Sequence, residues 1–80
     1  MNLWRVFYRL IFRNKSEKDF SSIGDKVEER NVLGDWSADS AIAKLRENVL
    51  KEEEGQSHHG RVVCDVAVVG VVHVALVDIV

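Results

Sequence analysis

The sequence predicts an α+β chain with an N-terminal amphipathic helix, a central helix and a C-terminal valine-rich β-hairpin. Three observations carry that class. Residues 1–15 set apolar and aromatic side chains around arginines spaced four apart. Ser37 heads a segment with helical apolar spacing, and residues 62–80 hold ten valines. The competing class is all-α, with the last nineteen residues as a transmembrane helix, because that run is close to the length that spans a bilayer.

Eighty residues make one domain at most, and a core of that size supplies only a few kcal/mol. The usual staples are missing. The single cysteine, Cys64, cannot close an internal disulfide, and no Cys/His spacing fits a structural zinc site. A lone thiol suits a reducing, intracellular compartment. Self-association, a protein partner or a membrane surface is therefore expected to complete the fold. The net charge of −2 conceals an ordered asymmetry. Arg5, Arg9, Arg13 and Lys15 stand in an acid-free arm, residues 16–61 carry eleven acids against seven bases, and Asp65 and Asp78 have no base after them. Positive charge confined to one short arm argues against a nucleic-acid binder.

In residues 1–15, Trp4, Phe7, Tyr8 and Ile11 follow i, i+3, i+4, i+7 spacing, and Leu3, Val6 and Leu10 widen the apolar face. Three readings stay open: a helix packed on the chain's own core, a membrane-surface anchor, and an Arg-rich mitochondrial targeting peptide. The membrane reading names Trp4, Arg5, Phe7, Tyr8, Arg9 and Arg13 as contacts, rings entering the headgroup boundary and arginines meeting phosphates. Arginine at every fourth residue excludes a secretory signal.

Residues 16–36 read as a polar connector. Phe20, Ile23 and Val27 allow a short helix over residues 19–30, which Gly24 would weaken by about 1 kcal/mol. Residues 37–55 are the firmest helix. Ser37 is an N-cap, Asp39 favours the first turn, Trp36 can staple onto it, and Ala38, Ile42, Leu45 and Val49 make a stripe. Glu47 and Lys51 pair along it, Gly55 can stop it, and Glu52, Glu53 and Glu54 should fray its last turn. Residues 56–61 form a loop in which His58 and His59 read as an exposed connector. With Cys64 they make only a weak transition-metal set, and no metal or cofactor is implied.

In residues 62–80, Asp65, His73 and Asp78 spoil a membrane span, since a mid-bilayer aspartate costs roughly 3 kcal/mol and each valine returns under about 0.6. Valine favours strands, and nineteen residues exceed the usual strand length, so the chain should fold back at Gly70 in a type II′ turn. That register puts Asp65 beside Asp78 on one face. It puts His73 on the other, among Val62, Cys64, Val66, Ala75, Val77 and Ile79. The two aspartates read as solvated rim charges, and His73 as a packed or edge histidine.

No nucleophile, base and orienting group occur at a recognisable spacing, which points away from an enzyme. The sequence-level expectation is a small non-enzymatic interaction or accessory module associating with itself, a protein partner or an anionic membrane surface. The alternatives are a small membrane protein with a C-terminal span, and a fragment or orphan frame without selected function.

Overall fold

A computed structural model describes residues 1–78. The elements in chain order are β1 (Asn2–Asn14), β2 (Ser22–Ile23), β3 (Glu28–Gly34), α1 (Ala38–Glu53) and β4 (Arg61–Leu76). Among the described residues the strands pair antiparallel, each of the others against β1. One edge of β1 carries β4 along its full length. The other carries β3 against Asn2–Tyr8 and β2 against Ile11–Phe12. The helix lies across one face, so the molecule is mostly β.

The N-terminal helix of the sequence reading is replaced by the central strand. The spacing that suggested a helix is also a strand spacing, because four is a multiple of two. Arg5, Arg9 and Arg13 therefore share one side of a strand as readily as one stripe of a helix. What decides is the neighbourhood. The segment is rich in aromatic and β-branched residues, which favour strands, and in β1 its backbone is paired on both edges. Trp4, Val6, Tyr8, Leu10 and Phe12 turn toward the helix side, and Val6 and Tyr8 are buried in the core.

The valine hairpin is also corrected. The chain does not turn at Gly70; β4 is one strand running through it. It opposes thirteen residues of β1 with sixteen of its own, and the three extra are accommodated by register shifts between Leu3/Trp4, Phe7/Tyr8 and Ile11/Phe12. Each shift leaves one β4 residue without a partner: Val74, Val69 and Cys64. These β-bulges bend and twist the strand, which lets so long an edge follow β1. Gly70 sits opposite Phe7, whose Cδ2 lies 3.8 Å from the place a Cβ would occupy. The missing side chain is filled by an aromatic ring from the next strand rather than used for a turn. Ile79 and Val80, the end of the predicted hairpin, lie outside the described residues. The spanning alternative fails as well: among the described residues no helix is long and apolar enough to cross a membrane.

The polar connector contains β2 and β3 where a short helix over residues 19–30 was expected. Only Val32 of β3 is buried, so the strand is held by its ladder to β1 more than by an apolar pattern. The central helix starts where its signals place it. Ser37 accepts the Ser40 N–H at 3.2 Å, and Gly55 follows the last turn with φ 79°. Its buried stripe is Ala41, Leu45 and Val49, with Ile42 and Ala38 half-buried. The last turn is tied rather than frayed: Glu52 pairs with Arg30, and Glu53 Oε2 lies 2.8 Å from His58 Nε2.

The core consists of Val6, Tyr8, Val32, Ala41, Leu45, Val49 and Val66, with Trp4, Leu10, Trp36, Leu50, Val68 and Val71 around it. It occupies one layer, between the helix and one face of the sheet. The opposite face has nothing packed on it among the described residues.

Candidate functional site

The register fixes which side chains the two faces present. Toward the helix, β1 residues 4, 6, 8, 10 and 12 pair with His73, Val71, Val68, Val66 and Val63. On the open side of the register, Leu3, Arg5, Phe7, Arg9, Ile11 and Arg13 pair with Ala75, Val72, Gly70, Ala67, Asp65 and Val62, the Asp65 carboxylate being bonded to Arg46 of the helix. On the β3 side, Leu33, Asn31 and Glu29 sit beside Leu3, Arg5 and Phe7, and Ile23 of β2 beside Ile11. Apolar and cationic side chains thus alternate along the centre of this face, with small or aliphatic residues beside them on β4. Leu33 is 56% exposed and Val72 52%.

The six residues read from the sequence as a contact set are divided by this geometry. Arg5, Phe7, Arg9 and Arg13 lie on the open face. Trp4 and Tyr8 lie on the other. Trp4 Nε1 donates to the Trp36 carbonyl at 2.7 Å, and its ring stands 4.8 Å from that of His73. Tyr8 is 3% exposed, and its burial pushes the phenol pKa up, with Arg30 opposing and Glu28 adding to the shift. Leu33, Asn31 and Val72 join the face through pairing register, which no local pattern in the sequence announces. Parity along β1 would have separated Trp4 and Tyr8 from the arginines once the segment was taken as a strand.

Electrostatically the open face is positive. Arg5 Nε donates to Asn31 Oδ1 at 3.3 Å, and Arg13 Nη1 donates to the carbonyls of Asn14, Lys15 and Glu17 at 3.2, 3.2 and 2.7 Å. Arg9 has no hydrogen-bond or ion-pair partner among the described residues. Of the acids, Asp65 is already committed. Its Oδ1 accepts the Val66 N–H at 2.8 Å and Arg46 Nη2 at 2.6 Å, and these bonds hold its pKa below the usual carboxylate value. Glu29, beside Phe7, is left as the balancing charge.

The other polar groups singled out in the sequence are dispersed over the described residues. Asp65 and Asp78 are not brought together, because Asp78 follows the end of a continuous strand. His73 is exposed, its Nε2 3.1 Å from Asn2 Oδ1. His58 packs edge-on to Phe12, whose ring also carries the Arg61 guanidinium 4.9 Å from its centroid. His59 bends the loop with φ 54°, and Cys64 occupies a bulge. Among the described residues no three His, Cys, Asp or Glu side chains are grouped to hold a metal. A cleft of about 270 Å³ opens over Leu10 and Phe12, rimmed by Asp25, Lys26, Glu28, Glu53 and His58. Compared with protein-family models, with curated proteins and with solved structures, the chain matches none.

Proposed function

We propose that the chain is a small non-enzymatic interaction module that works through the open face of its sheet. The observation that supports this is the uncovered row Leu3, Arg5, Phe7, Arg9 and Ile11, flanked by exposed Leu33 and Val72. An antiparallel sheet can leave one face to water when that face is polar, but this one, with a helix on its other side only, alternates apolar and cationic residues along β1. The surface balance agrees. The accessible area of 5521 Å² exceeds by roughly 600 Å² what a compact monomer of this mass exposes. That excess approaches the ~800 Å² each partner buries in a standard interface. The radius of gyration, 14.3 Å, likewise exceeds the ~12 Å of a compact chain of this length.

Carbene footprinting tests the reading. The purified chain is labelled alone and in total extract, membranes included, from cells that express it. Leu33 and Val72 lose labelling in extract, whereas Ala43 and Glu47, exposed on the helix, keep theirs. Protection of the helix positions instead, or of neither set, overturns the assignment of the face.

A further inference from the structure

We infer that the partner of the open face is an anionic lipid bilayer surface. This rests on that face being the binding surface, and it names what binds there. The charge on the page selects the occupant. Arg5 and Arg9 stand two repeats of the alternation apart on β1, with Phe7 between them and Leu3 and Ile11 beyond. Arg9 has no partner among the described residues, and Arg5 has only a neutral amide. Asp65 is neutralised by Arg46, which leaves Glu29 as the opposing charge. A surface that meets this face must therefore offer negative charge and an apolar layer at once. The headgroup boundary of an anionic bilayer does both: lipid phosphates and carboxylates meet the guanidinium groups, and aliphatic and aromatic side chains enter beneath them.

Two other occupants fit the same observations less well. A second copy stacked face to face by a two-fold axis sets one arginine-bearing face against an identical one, with Glu29 the free carboxylate to offset Arg5 and Arg9. Single-stranded nucleic acid needs aromatic planes for its bases. Phe7 is the one aromatic residue on this face, and its ring is spread over Gly70.

The test is co-sedimentation of the full chain with phosphatidylcholine vesicles that contain or lack phosphatidylserine. The chain pellets with the anionic vesicles, stays in the supernatant with the neutral ones, and is released by high salt. Arg5→Gln with Arg9→Gln lowers the partition coefficient by about 25-fold, on about fivefold for each arginine near an anionic surface. Lys44→Gln with Lys51→Gln, the same charge change placed on the helix across the sheet, lowers it by less than about twofold. Circular dichroism confirms that each variant is folded. Absence of pelleting with anionic vesicles, or equal loss in the two charge pairs, overturns the bilayer as partner. Light scattering and a single-stranded oligonucleotide titration are run alongside, with Leu33→Ser/Val72→Ser as the face variant. Self-association or oligonucleotide binding abolished by that variant keeps the face and removes the bilayer. Every association left intact by it removes the face itself.

Discussion

Gly34 ends β3 directly beneath the indole of Trp36, and alanine there should be costly for a reason that can be isolated. A Cβ at position 34 would lie 2.2 Å from Trp36 Nε1, 2.7 Å from Cδ1 and 2.9 Å from Cε2. Ordinary contact is about 3.5 Å, so the ring must retreat by more than about 1 Å. The backbone of Trp36 is not free to follow, since its carbonyl accepts Trp4 Nε1 at 2.7 Å and Asn2 Nδ2 at 3.2 Å. The side chain alone must swing, and it leaves the core margin where it packs. Overpacking of this kind costs about 2 kcal/mol. The unusual backbone angle of Gly34, φ 157°, adds roughly 1 kcal/mol for any side chain. Gly34→Ala should therefore destabilise by about 3 kcal/mol, a large part of the 4–12 kcal/mol or so available to a domain this size. In a Trp36→Ala background only the backbone part remains, about 1 kcal/mol, which leaves a coupling of about 2 kcal/mol. Urea titrations followed by far-ultraviolet circular dichroism on the four proteins measure it. A coupling below about 0.5 kcal/mol would refute the steric account.

Leu45 is fully buried at the centre of the helix stripe, and Leu45→Ala should cost about 3 kcal/mol in the same titration, whereas Ala43→Ser on the exposed side should cost under about 0.5. The lowered pKa of Asp65 means that its stabilising bonds are fully present above the unfolded carboxylate value of about 4 and are lost as pH falls through it toward the folded value. An acid titration of stability should accordingly be less steep in Asp65→Asn, and Arg46→Gln should move the loss to higher pH. The raised pKa of Tyr8 works at the other end: its contribution is complete below the unfolded value of about 10 and disappears as pH rises through the folded one. Tyr8→Phe should remove that alkaline dependence, and an unchanged alkaline limb would show that the phenol is not the group responsible.

What the sequence revealed and what it hid divide along physical lines. The helix at residues 38–53 was legible because its signals are local: an N-cap serine, an acid in the first turn and a stripe around Leu45. The strand β1 is hidden because its arginine spacing satisfies both periods, and only its aromatic and β-branched content points to a strand. The strand β3 gave no apolar alternation to read, since Glu28, Arg30 and Val32 share its inner face and only the last is buried. The cationic and apolar elements of the open face were visible as a group, but Trp4 and Tyr8 were counted with Arg5 and Phe7. Helical geometry puts Trp4, Phe7 and Tyr8 on one face with the arginines as a separate stripe, whereas strand geometry sends alternate residues to opposite faces. Leu33 and Val72 belong to the face through pairing with residues about 30 and 70 positions away, information that no local window contains.

The valine run has no simple alternation for a reason that the register shows. Between bulges the strand alternates, but each bulge resets the phase, so the residues facing the helix fall at 63, 66, 68, 71 and 73 and those facing outward at 62, 65, 67, 70, 72 and 75. Steps of three and two alternate, giving a repeat of five in place of two. A side chain that suits either face of a sheet is the simplest way to occupy such a strand, and valine is small, stiff and apolar enough for both. The same bulges change what the free edge of β4 can do. A second strand laid along that edge would meet an unpaired residue every fifth position, and Asp65 and Arg46 set a charged pair against it. Long apolar edges invite edge-to-edge association unless they are interrupted in this way. The interruption makes the β4 edge a poor template for strand addition, which agrees with the open face as the proposed docking surface.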